Sequence, residues 1–141
     1  MGESFEVLVV THGGLSRGYR HAMELLLDIG EKDMGTLSFE EGEEIEHFRE
    51  KLSEYIEGKY KDKNLVILLD LPGGTPANTA LSFMNPSRRL IAGFSLPLLL
   101  ELMVMKMGKT KWEELDIEDI ISNSRNSMVY YNEILRGKEN D

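Results

Sequence analysis

The chain has 141 residues, 41% of them hydrophobic and 29% charged, enough for one ordinary domain and too few for two. With no cysteine, disulfides, thiol catalysis and Cys-ligated zinc or iron–sulfur centres are excluded, and the composition fits a reducing cytosol. A formal net charge of -9 opposes binding to nucleic acid or anionic lipid.

No charged n-region followed by an apolar core opens the sequence, so no signal peptide is expected. Phe5 to Val10 reads as a buried strand. Leu15 to Ile29 reads as an amphipathic helix, with Leu15, Tyr19, Ala22, Met23, Leu26 and Ile29 on one apolar face. A weaker strand, Thr36 to Phe39, precedes a helix from about Glu43 to Ile56. Leu65 to Leu69 is a strand. After it come the turn Pro72-Gly73-Gly74-Thr75-Pro76, a helix from about Asn78 to Met84, and a strand around Leu90 to Gly93. A helix follows Pro97; the apolar stretch Leu96 to Met105 holds Pro97 and Glu101 and is too short to span a bilayer. Thr110-Lys111-Trp112-Glu113 has the capping pattern of one more helix, and Met128 to Tyr131 has the residues of a last short strand. Only Gly137 to Asp141 reads as a loose tail, so residues 1–141 are expected to form a single domain.

Strands that are apolar throughout, separated by helices, specify an α/β fold: a doubly wound, mostly parallel sheet with helices on both faces. In such open sheets chemistry gathers beyond the carboxyl ends of the strands, where the strand order switches. His12 follows the first strand directly, and Asp70 follows the third. If those strands are neighbours, both residues face one crevice.

On position alone, His12 admits two readings. One is a strand-end histidine bonded to a loop carbonyl. In the other, Asp70 accepts from Nδ1–H, fixes the tautomer and leaves Nε2 with a free lone pair, which makes a nucleophile. Asp70 has its own plain reading as a turn-initiating aspartate. Gly73, Gly74 and Thr75 add a third element, because successive backbone N–H groups at the start of a helix, with a hydroxyl, cradle a phosphoryl anion. No lysine follows the glycines, so this is not a Walker A loop. His21 and His47 lie away from the apolar faces of their helices and read as solvated, without the companions a metal site needs. No metal and no cofactor are expected; the turns after the first and third strands lack an aromatic ring to stack on a flavin. Nucleophile, orienting carboxylate and anion cradle together point to phosphoryl transfer through histidine.

These residues also resemble a known family, the enzyme IIA component of the mannose/fructose/sorbose class of the bacterial sugar phosphotransferase system (PTS). The resemblance is carried by "VVTHGGLSRGY", "FEEGEE", "LLDLPGGTPANTA" and "IAGFSLPLLLEL". It implies a cytoplasmic phosphocarrier, peripherally associated with its membrane permease. Such a carrier accepts a phosphoryl group from the phosphohistidine of HPr and hands it to a histidine of the enzyme IIB component. His12 matches the phosphorylated histidine, Asp70 its carboxylate partner and Thr75 the hydroxyl residue of the turn; Gly13, Gly73 and Gly74 are the expected phosphoryl-binding backbone. The resemblance also implies a homodimer in which an antiparallel edge strand is exchanged between protomers, and Ser127 to Asn132 has the residues for it. Family members commonly carry Gly-x-Asn-x-Pro-Met where this chain has Gly93-Phe94-Ser95-Leu96-Pro97-Leu98, so Ser95 and Leu98 depart from the pattern. No IIB domain follows in the sequence, and the acceptor is expected to be a separate polypeptide. Two alternatives share the fold: the phosphocarrier subunit of a dihydroxyacetone kinase, and a non-catalytic flavodoxin-like module binding a phosphorylated ligand. The intact Gly-Gly-Thr-Pro turn favours the sugar system over the first, and His12→Gln separates carrier from binding module.

Overall fold

Because the strands carry apolar residues at successive positions, both faces of the sheet must be covered. The computed structural model, which describes residues 4–140, meets that requirement. Strands β1 (Phe5–His12), β2 (Gly35–Phe39), β3 (Asn64–Leu69) and β4 (Arg88–Ala92) form a parallel sheet in the order β2-β1-β3-β4. Helices α1 (Leu15–Leu27), α2 (Ile45–Ser53), α3 (Gly74–Leu81), α4 (Leu96–Met107), α5 (Ile117–Asn126) and α6 (Tyr131–Asn140) connect and follow the strands. None of the described helices is long and apolar enough to cross a membrane.

Alternation along the strands divides the core in two. Val7 and Val9 of β1 and Val66 and Leu68 of β3 pack with Met23 of α1, Leu98, Leu99 and Leu102 of α4, Trp112, and Ile120 of α5. Leu8 and Val10 of β1 and Ile67 and Leu69 of β3 turn the other way, onto Phe48 and Leu52 of α2, Ile56, and Ala77 and Ala80 of α3. Full burial of each large aliphatic side chain contributes about 1.5–3 kcal/mol, so these two layers fix the strand ends firmly.

Five local expectations change. α1 turns Ser16 inward and leaves Leu15 and Leu26 exposed (46% and 54%), because Ser16 is satisfied by Thr11 and Ser38 and is accommodated without loss. α3 starts at Gly74 rather than near Asn78: the two glycines supply the left-handed entry, and proline is tolerated in a first turn, where an N–H would have no partner. Trp112–Glu114 is only a 3-10 turn, since Trp112 is drawn into the core; α5 begins at Ile117, capped by Asp116, whose Oδ1 accepts from the Asp119 N–H at 3.1 Å. Met128 to Tyr131 forms no strand within the chain. Residues 128–130 are irregular and the Tyr130 carbonyl accepts from the Glu133 and Ile134 amides, opening α6. β-propensity acts only where an edge is there to pair with. α6 also runs through Gly137 and Lys138, in the stretch that reads as a loose tail; Asp141 lies outside the described residues.

Candidate active site

The strand order reverses direction between β1 and β3, which are hydrogen-bonded neighbours with Val10 opposite Leu69. The residue that ends β1 and the one that follows β3 therefore meet at the switch point, the crevice that open α/β sheets use for ligands. His12 and Asp70 are those residues.

Asp70 Oδ2 accepts the His12 backbone N–H at 3.0 Å and lies 2.9 Å from His12 Nδ1, while Oδ1 accepts the Leu71 N–H at 3.1 Å. Both oxygens are occupied, and the carboxylate is only 10% exposed against 44% for the imidazole. A carboxylate only accepts, so the contact assigns the ring proton to Nδ1 and leaves Nε2 with its lone pair.

The Nε2 side of the ring faces the start of α3. A Cβ built on Gly74 would lie 3.7 Å from Nε2 and 3.5 Å from Cε1, in ordinary van der Waals contact, so a side chain there would fill the space between the Gly74 backbone and the ring. Gly73 and Gly74 have φ of +77° and +78°, values that an L side chain rarely adopts. No side chain caps α3, whose first-turn amides, those of Gly74 and Thr75 among them, lie at the positive end of the helix dipole, near the His12 ring. Thr75 is half-buried beside them. Gly13 follows His12 with φ +54°, and its N–H donates to the Phe39 carbonyl at 2.9 Å. Its amide therefore serves the turn, while the amides of Gly74 and Thr75 have no side-chain cap at the start of α3.

Thr11 anchors what lies beneath. It is fully buried, and its Oγ1 accepts the Ser16 N–H at 2.8 Å, tying the first turn of α1 to the end of β1. Tyr19 of α1 packs on Phe94 with ring centroids 4.6 Å apart; burial and the negative charge of Asp70 both push its hydroxyl pKa up. The chain's two departures from the family loop have structural roles. Ser95 Oγ caps α4 by accepting the Leu98 N–H at 3.3 Å, and Leu98 is buried in the core.

The other histidines stand apart from this pair. His21 is exposed on α1. His47 is exposed too but not simply solvated, because its Nδ1 lies 2.6 Å from Glu43 Oε2, a carboxylate shared with Lys51 at 2.8 Å. Burial would raise the Glu43 carboxyl, but hydrogen bonds from Lys51, the Glu40 amide and His47 outweigh it and hold the group below the usual range.

Sequence reasoning found both members of the central pair and missed Phe39, whose ring meets the imidazole edge-to-face at 6.1 Å between centroids. The available signal was its place at the last apolar position of β2, immediately before an acidic run.

An open parallel α/β sheet with a carboxylate-held histidine at its switch point defines a narrow class of proteins. The family described as PTS system fructose IIA component matches residues 6–120, and the chain belongs to it. The PTS system fructose-specific EIIA component of Bacillus subtilis (strain 168) is 27% identical over 119 residues, covering 83% of this chain and 77% of that protein. Among solved structures, the PTS IIA protein associated with the fucose utilization operon from Streptococcus pneumoniae superposes with a TM-score of 0.81 at 28% identity, covering 94% of this chain and 98% of that one. The mannose/sorbose specific IIA subunit from Enterococcus faecalis shares the fold, with a TM-score of 0.76 at 20% identity over 90% and 94% of the two chains. The chain is thus a IIA component of a sugar phosphotransferase system.

Proposed function

We propose that this chain carries a phosphoryl group from the phosphohistidine of HPr to a histidine of the enzyme IIB component, with His12 Nε2 as its carrier atom. The observation that supports this most is the 2.9 Å contact between Asp70 Oδ2 and His12 Nδ1, which leaves Nε2 as the nucleophilic atom beside the Gly74 backbone.

The Nε2 lone pair attacks phosphorus while the donor's N–P bond breaks and its electron pair returns to the donor imidazole. The proton stays on Nδ1, where Asp70 offsets the positive charge developing on the ring. The amides of Gly73, Gly74 and Thr75, with the Thr75 hydroxyl, hold the phosphoryl oxygens, and Gly13, at φ +54°, turns the chain directly after His12. The group arrives already activated, so neither metal nor cofactor enters the reaction, and the backbone supplies the electrostatics. Transfer to IIB is the same step in reverse.

In this reading residues 1–141 act as one cytoplasmic IIA domain, drawn to the membrane by its IIB and permease partners. It works as a homodimer in which the exposed segment around Met128 to Tyr131 pairs with an open sheet edge of the second protomer. The sugar is chosen by the permease.

Incubation with phosphoenolpyruvate, enzyme I and HPr, followed by intact mass measurement, tests the proposal. One phosphoryl group should appear on the wild type and none on His12→Gln. The linkage should be acid-labile and alkali-stable. Label on His21 or His47, or retention in His12→Gln, would overturn it.

A further inference from the structure

Asp70 secures one corner of the imidazole, and the opposite corner still has to be placed. Both of its bonds to His12 end on the same oxygen, so the ring can rock about its Nδ1 corner and swing Nε2 with it. Displacements of about 1 Å at a reacting atom are enough to cost a hundredfold in rate.

Phe39 also meets the imidazole, with ring centroids 6.1 Å apart. It is opposite His12 in the β1–β2 register, its carbonyl binds the Gly13 amide, and its ring stands at 75° to the imidazole plane. Phe39 is itself held from behind. Its ring packs on Phe48 at 5.2 Å and 69°, and Phe48 is fully buried in the core beneath α2. The preceding residue is pinned three times: Ser38 Oγ accepts from Arg17 Nη1 at 2.9 Å and contacts Ser16 Oγ at 3.1 Å, while its carbonyl accepts from Lys51 Nζ at 3.0 Å. This strand end cannot step aside without breaking polar contacts from both α1 and α2.

We propose that Phe39 is a positioning residue for phosphoryl transfer, a rigid apolar wall that confines the His12 imidazole to the orientation in which Nε2 faces the start of α3. A benzene ring offers no strong acceptor, so the wall also gives no support to a tautomer with its proton on Nε2. Phe39 acts through His12 and touches no phosphoryl oxygen. The kinetic arm of the test rests on the phosphocarrier reading; the spectroscopic arm does not.

The variants are Phe39→Leu and Phe39→Met, which fill the core without a flat face, and Phe39→Tyr, which keeps one. The transfer rate from phospho-HPr should fall about tenfold or more in the first two, in kcat with KM unchanged, and stay near wild type in the third. Nitrogen-15 spectra of the His12 ring should show one Nδ1–H tautomer in the wild type and a mixture in the leucine and methionine variants. A single Nδ1–H tautomer with wild-type rates in both variants would overturn the proposal. A change confined to KM would also overturn it, making Phe39 a docking contact. If the wild type accepts no phosphoryl group, the phosphocarrier reading fails, while the tautomer spectra still decide the role of Phe39. Far-UV circular dichroism identifies any variant that has lost the fold, and the remaining one carries the test.

Discussion

One oxygen of Asp70 binds His12 at the main chain and at the ring, at 3.0 and 2.9 Å. The backbone bond fixes where the carboxylate sits and the ring bond fixes which nitrogen holds the proton, so the charge and position of Asp70 are separable experimentally. Asp70→Asn keeps the size and loses the charge, and its amide can donate as well as accept, which releases the tautomer. Transfer should slow roughly a hundredfold in both directions with the melting transition little changed. Rapid-quench measurement of phosphoryl transfer checks this, and wild-type rates would reduce Asp70 to a turn residue.

Gly74 and Thr75 should separate backbone from side-chain contributions at the cradle. Gly74→Ala forces an L residue to φ +78° and sets a methyl group 3.7 Å from Nε2, in the space the phosphoryl group needs. It should cost about 1–2 kcal/mol of stability and nearly all phosphorylation. Thr75→Ala leaves the amides in place and should slow transfer only a few-fold. Equal effects from the two changes would mean that the hydroxyl, not the backbone, holds the anion.

Glu43 gives the fold a definite pH dependence. Its carboxyl is held below the usual range in the native state, so its contribution is present above the unfolded pKa and is lost as pH falls through the lower, folded one. Glu43→Gln should therefore destabilise the protein by about 1 kcal/mol at neutral pH, since the partner His47 is well exposed, and the difference should vanish in acid. Urea titrations of both proteins across that range would show it; a difference that persists below the folded pKa would assign the effect to packing.

The strands and the two central residues were legible because their signals are local. Apolar runs with no alternation can only be doubly covered strands, and His12 and Asp70 stand directly at the ends of two of them. What was hidden depends on contacts between distant segments. Ser16 looks like a surface residue until Thr11 and Ser38 are placed beside it, and Phe39 looks like ordinary core until register sets it opposite His12. The early start of α3 was masked by chemistry that reads as a turn, because glycines at positive φ serve loops and helix entries equally well.

The C-terminal segment carries the last prediction. Met128 is 88% exposed, Tyr130 62% and Tyr131 71%, an unusual amount of bare apolar surface for six consecutive residues ending at Asn132. The described sheet ends on β2 and β4, whose outer edges are the pairing sites available to a second chain. Open edges invite strand addition, and reciprocal exchange between two copies covers both segments at once with a symmetric interface. In that arrangement the strand-forming residues after Ser127 gain the partner they lack within one chain, and their side chains leave water. Sedimentation equilibrium at micromolar concentration should report a dimer for the full chain. Truncation after Asn126 should give a monomer or an aggregate, and Tyr130→Asp should weaken association at least tenfold without disturbing the monomer fold, because the segment adds nothing to either core layer. A full-length monomer would exclude exchange outright, and an unchanged dimer after truncation would place the interface on another face.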